Sequence, residues 1–159
     1  MEQIERSNRY LQRIKEMYEG VIDPRQDRDY YSDDVISFFV HCYHIRDWVM
    51  ELSKVKTTQK EVDNYINSHE PLKICADLSN GSKHCILKRL RTEKQPHLVS
   101  RQLRASTWLT GSEGHEILKC KFQILTSTGL YDALELAEEC MNLWGAFTDE
   151  LQNSYNEAN

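Results

Sequence analysis

The chain has 159 residues, of which 40% are hydrophobic and 28% charged, with 6 glycines, 3 prolines and a formal net charge of −5. That size suits one domain, and the composition excludes collagen-like, low-complexity and wholly disordered classes. No apolar run approaches the ~20 residues of a membrane span, and the charged start MEQIERSNRY lacks the apolar stretch of a signal peptide. The expectation is one soluble, cytoplasmic domain over residues 1–159, with no membrane partner.

Ile4, Leu11, Ile14, Tyr18 and Val21 recur at helical spacing and predict a first helix over Ile4 to Glu19. Gly20 to Tyr31 reads as a loop, because Pro24 ends any helix before it. Ser32 is the expected N-cap of a second helix, with Asp33 and Asp34 placed where negative charge meets the helix dipole. Val35, Phe38, Phe39, Cys42, Ile45 and Val49 then form a broad apolar face running to about Leu52. Thr58 and Glu61 have the spacing of a capping box and predict a short third helix through Ile66.

A fourth helix is expected from Pro71 to about Leu90, capped by Ser68, since proline fits a first turn. Its apolar side is Leu72, Cys75, Leu78, Ile86 and Leu87. Gly81 inside it costs roughly 1 kcal/mol against alanine, so something should need the missing side chain. After Pro96 the period changes to two. Leu98–Leu109 and Glu116–Leu125, joined through Gly111 and Gly114, predict a β-hairpin over about 98–125, with Leu118, Cys120, Phe122 and Ile124 on one side. A final helix over Leu130 to Leu151 follows, with Leu130, Leu134, Ala137, Met141, Trp144 and Phe147 on one face and a frayed tail over 153–159. The expected fold is mainly α: a helical bundle of about five helices with a β-hairpin inserted before the last one.

Charge is unevenly distributed. Between Lys83 and Arg104 stand seven basic residues (Lys83, Lys88, Arg89, Arg91, Lys94, Arg101, Arg104) against Glu93 alone, whereas Leu130 to Asn159 holds seven acids and no Lys or Arg. The basic stretch either holds phosphates or docks within the chain against the acidic last helix. The five cysteines (Cys42, Cys75, Cys85, Cys120, Cys140) contain no C-x-x-C pair and read as free buried thiols. Trp48, Trp108 and Trp144 read as core or interface anchors.

Two groups of residues carry candidate chemistry. Asp77, Asn80, Gly81, His84 and Lys88 follow at steps of three and four, which on a helix places five positions on one polar face beside a glycine. His84 suits acid–base work and Asn80 both donates and accepts hydrogen bonds; the same pattern also suits an ordinary polar face at a helix crossing. His41 and His44 share a face of the second helix and are weak metal candidates, needing a third ligand from His84 or Asp77. No nucleotide-binding glycine loop, nucleophile elbow or paired C-x-x-C is present.

The Asp77–His84 segment resembles the HEPN superfamily of prokaryotic helical domains, whose nucleases carry an Arg, a polar residue after it and a His four to six residues beyond the Arg. Asn80 matches the polar residue and His84 the histidine, while Ser79 stands where the family has Arg. The resemblance covers about Ser32 to Arg91. It implies a homodimer with the polar face near the two-fold axis, and an RNA-directed role in phage defence or a toxin–antitoxin pair. In that reading His84, Asn80 and Asp77 form the catalytic group, Lys83, Lys88, Arg89, Arg91 and Arg46 bind phosphate, and no cofactor is required. With Ser79 in the Arg position, a degenerate ribonuclease that still binds RNA or nucleotide is favoured over a competent one. The alternative is a non-catalytic interaction module that meets a cognate protein partner through the basic stretch or the hairpin edge.

Overall fold

A computed structural model describes residues 1–20, 28–52, 57–110 and 113–157, with side chains at all of these except 28, 52, 100–110 and 113–118. Its elements run α1 (Glu2–Glu19), α2 (Arg28–Leu52), α3 (Gln59–Ser68), α4 (Glu70–Gly81), β1 (His97–Thr110), β2 (Glu113–Leu125), β3 (Leu130–Asp132) and α5 (Ala133–Glu157). The helices surround a single apolar core in which Ile14, Phe38, Phe39, Ile45, Ile66, Leu72, Ile74, Leu136 and Trp144 are fully buried. The antiparallel sheet has the order β1-β2-β3. Among the described residues no helix is long and apolar enough to cross a membrane.

The helices begin and end where local chemistry dictates, and this shifts several expected boundaries. α1 closes on Gly20 at φ 97°, a left-handed C-cap that glycine adopts without strain. Residues 21–27, including Val21 and Pro24, lie outside the described residues, but Arg28 to Tyr31 are helical rather than loop. Ser32 is therefore not an N-cap; its hydroxyl donates back to the Asp29 carbonyl one turn earlier. At α3 the capping box is complete, with the Thr58 side chain accepting from Glu61 N and the Glu61 carboxylate accepting from Thr58 N. α4 is capped by His69, not Ser68, whose hydroxyl is taken by the Tyr65 carbonyl.

α4 is also shorter than its sequence pattern suggests, ending at Gly81. Ser79-Asn80-Gly81-Ser82 is a run of weak helix formers, and the chain beyond it is drawn back across the helix. Ile86, expected in the core, is consequently 79% exposed. Cys85 is likewise exposed, whereas the other four cysteines are buried, all five being free. A Cβ at Gly81 would meet Gln95 Nε2 at 3.3 Å, so the returning chain is what presses on this glycine.

The hairpin pairs His97 with Leu125 and Thr110 with Glu113, with an irregularity between Leu98 and Ser100. β2 starts at Glu113, earlier than its apolar alternation; the connecting residues 111–112 lie outside the described residues. Cys120, Phe122 and Ile124 face the core while Lys119 and Lys121 are exposed, the expected period of two. Tyr18 fastens β2 to α1: its hydroxyl donates to the Phe122 carbonyl at 3.0 Å and accepts from Phe122 N at 3.0 Å.

Leu130 does not belong to the last helix. Leu130, Tyr131 and Asp132 pair with Leu125, Ile124 and Gln123 as β3, and Leu130 is 58% exposed. Asp132 then caps α5, its Oδ1 accepting from Leu134 N and Glu135 N. α5 continues helically to Glu157, through most of the tail expected to fray; 158–159 lie outside the described residues.

Candidate functional site

The residues singled out around α4 fall into structural and surface roles that the helix end separates. Asp77 is 1% exposed. Its Oδ1 accepts from Arg91 N at 3.0 Å, and its Oδ2 accepts from Arg91 N at 2.9 Å, Thr92 N at 2.8 Å and Thr92 Oγ1 at 2.7 Å. A buried carboxylate satisfied by backbone N–H groups is a fastening point. Gln95 braces the returning segment internally, accepting from Leu87 N at 3.0 Å and donating to the Cys85 carbonyl at 3.4 Å. Residues 82–96 thus form an irregular strap held to α4 at Asp77 and braced within itself by Gln95.

Asp77, Asn80 and His84 therefore do not converge as one helix face. His84 and Lys88 lie beyond the end of α4 on the strap and are exposed. The side chains of Asn80 and His84 make no hydrogen bond among the described residues. Ser79, where the resemblance places the motif arginine, is fully buried, and its hydroxyl has no hydrogen-bond partner among the described residues.

The basic residues have more varied fates. Arg91 does not dock on the acidic last helix; it binds Asp63 at 2.7 Å and Asn67 at 2.6 Å on α3. Arg46 shares that Asp63 carboxylate at 3.4 Å and donates to the Tyr43 hydroxyl at 3.0 Å, while its buried Nε lies 3.9 Å from the Asp47 carboxylate and has no hydrogen-bond partner among the described residues. Lys83 Nζ stands 3.4 Å from His44 Nε2. Lys88 and Arg89 are exposed and unpaired among the described residues, and the side chains of Arg101 and Arg104 lie outside them. α5 finds its cation on α1 instead, through Lys15 and Glu138 at 2.8 Å.

A second set of cations, on α1, was not singled out from the sequence. Arg6, Arg9 and Arg13 line an open groove of about 570 Å³ together with Tyr10, Glu16 and His41. Its floor is a stacked pair, the Tyr10 and His41 rings lying 5.0 Å apart at 24°, with the Arg13 guanidinium 5.1 Å from the Tyr10 ring centre. Gln3 fixes His41 from below, donating to its carbonyl at 2.7 Å and lying 3.3 Å from its Nδ1. Arg6 is paired with Glu2 and Arg13 with Asp34, whereas Arg9 is exposed with no partner among the described residues. The spacing of Arg6, Arg9 and Arg13 at three and four residues is the sequence signal that marks this face.

His41 and His44 join the two cationic regions. Burial lowers the pKa of His41, and Arg6, His44 and Arg9 lower it further. His44 is lowered by burial and then by Lys83, with Asp47 opposing and Arg46 adding to the effect. Both imidazoles thus sit in positive potential, which disfavours the metal role considered for them. Of the two third ligands considered, Asp77 is already committed to the strap and His84 lies exposed beyond the end of α4. Arg6 and Arg9 on α1 instead act on His41, and Lys83 on the strap acts on His44, so that these five residues form a basic band across α1, α2 and the strap. Among the described residues, the cluster with metal-ligand proximity is Cys42, Cys75 and Cys140, brought together in the core from positions far apart in sequence.

Fold and surface together define a mainly helical domain with a three-stranded sheet and a basic, aromatic-floored band. The chain matches no family model, no curated protein and no solved structure.

Proposed function

We propose that this protein binds single-stranded RNA along the band formed by Arg6, Arg9, His41, His44 and Lys83. The observation that carries the reading is the open groove that Arg6, Arg9 and Arg13 line together with the stacked Tyr10–His41 pair, Arg9 being without a partner among the described residues. Cations that track a backbone beside an aromatic surface that takes a base are the two ingredients of single-strand recognition. In this reading the chain is a HEPN-like RNA binder of defence or toxin–antitoxin type, homodimeric, and acting by holding RNA rather than cutting it. Buried Ser79 and exposed, unsupported His84 favour binding over cleavage.

The test is fluorescence anisotropy with a labelled single-stranded RNA over a salt series. With about three phosphate contacts the affinity falls with a log–log slope of about −2. Arg9→Ala and Lys83→Ala each reduce that slope by about 0.7, while His84→Ala leaves it unchanged. Absence of binding at low salt, or binding indifferent to Arg9, refutes the assignment. The alternative of a protein-interaction module rests on β1, which has β2 as its one neighbour among the described residues, leaving an edge able to accept a partner strand.

A further inference from the structure

Three of the five thiols meet in the core. Cys42 on α2, Cys75 on α4 and Cys140 on α5 are 0%, 1% and 0% exposed, and their sulfurs lie within 4.8 Å of one another. Sulfurs ~2.3 Å from a shared metal ion stand about 3.7–4.0 Å apart, within that spacing. Each sulfur comes from a different helix, so the trio needs the tertiary fold to exist.

The surroundings treat the three sulfurs unequally. The Cys75 thiol donates to the Phe39 carbonyl at 3.4 Å and the Cys140 thiol to the Pro71 carbonyl at 3.3 Å. Trp144 is 1% exposed, and among the described residues its Nε1 has no hydrogen-bond partner. Its side chain is a neighbour of Cys42. A buried indole donor left unused is a cost, and a thiolate bound to a metal is the acceptor that removes it.

We propose that Cys42, Cys75 and Cys140 form a three-sulfur site for a thiophilic metal ion, Cu(I) in preference to Zn(II), which ties α2, α4 and α5 together. Soft thiolates select such ions. No imidazole or carboxylate joins the cluster among the described residues, so the four ligands of a structural zinc site are not assembled. Binding displaces the protons of the ligating thiols into solvent, and it stabilises the fold that creates the site. This site lies in the core, separate from the basic band, and stands whether or not RNA binds there.

The experiment is anaerobic competition of the reduced full chain with the chromophoric Cu(I)–bicinchoninate complex. The expected result is withdrawal of one Cu(I) per chain, a higher melting temperature, and unchanged uptake in Cys85→Ser. Cys75→Ala and Cys140→Ala lose the stoichiometric uptake. Should those variants fail to fold, copper-edge X-ray absorption of the wild-type complex decides, with three sulfur neighbours expected. No withdrawal of copper, uptake abolished by Cys85→Ser, a shell of fewer than three sulfurs, or Zn(II) held as tightly as Cu(I) overturns the proposal.

Discussion

Asp77 tests whether the polar group on α4 is a site or a fastening. Replacement by alanine removes the acceptor for Arg91 N–H, Thr92 N–H and the Thr92 hydroxyl. The hydroxyl retains an alternative, since it already lies 2.8 Å from the Lys94 carbonyl. The two amides do not, and a stranded N–H costs ~1–3 kcal/mol. Because Thr92 is buried while Arg91 is part-exposed and can rehydrate, Asp77→Ala should cost about 3 kcal/mol. Asp77→Asn keeps one oxygen, which can occupy the Oδ2 position and serve both amides. Its NH2 group then faces Arg91 N–H from 3.0 Å, and the cost is about 1–2 kcal/mol.

Urea unfolding reads both numbers. With a slope of ~2 kcal/mol per molar, the midpoint falls by ~1.5 M for alanine and by ~0.5–1 M for asparagine, with the slope itself unchanged. RNA affinity of the folded Asp77→Asn protein should match wild type. An alanine midpoint within ~0.25 M of wild type would falsify the fastening role. Loss of RNA binding in Asp77→Asn at wild-type stability would return Asp77 to the site.

Two further predictions rest on α1 and α2. Tyr18→Phe deletes both hydrogen bonds to Phe122 in a buried position and should destabilise by ~1–3 kcal/mol in the same urea assay; an effect below ~0.5 kcal/mol would show that β2 is held by apolar packing alone. His41 and His44 have folded-state pKa values below the ordinary imidazole value, so the unfolded chain binds protons more readily. Their neutral forms contribute stability above about pH 6.5, and that contribution is lost as pH falls below it. Bound phosphate reverses the preference by favouring the imidazolium, so RNA affinity should rise between pH 7.5 and 5.5 while urea midpoints fall. Affinity flat across that interval, or a rise that persists in a His41→Ala, His44→Ala double variant, contradicts the band.

What the sequence displays and what it conceals follow from the range of the interactions involved. The Thr58–Glu61 capping box and the alternation of Cys120, Phe122 and Ile124 are local patterns, and the structure carries both. The end of α4 is different in kind. Periodicity through Ile86 and Leu90 argues for more helix, but Asp77 captures backbone 14 residues ahead, and a side chain that binds distant amides leaves no trace in local hydropathy. Leu130 fits an apolar helical stripe equally well until β2 claims it as a strand partner. The three core thiols are likewise invisible as a group, since each reads alone as a small apolar residue on its own helix.

The same long-range capture links the fastening to the surface. Lys83 reaches His44 because the chain leaves α4 at Gly81, and it leaves there because Asp77 holds the returning segment, which Gln95 braces. A longer α4, continuing through the strap, would carry Lys83, His84 and Lys88 along a single rod and would give up the Asp77 anchor and the Gln95 brace. The polar residues of α4 therefore serve the proposed band indirectly: buried Asp77 helps determine where Lys83 stands, and in the proposed reading Lys83 meets the RNA. That division of labour explains why charged residues close in sequence have opposite fates, one buried under backbone donors and the others exposed to solvent.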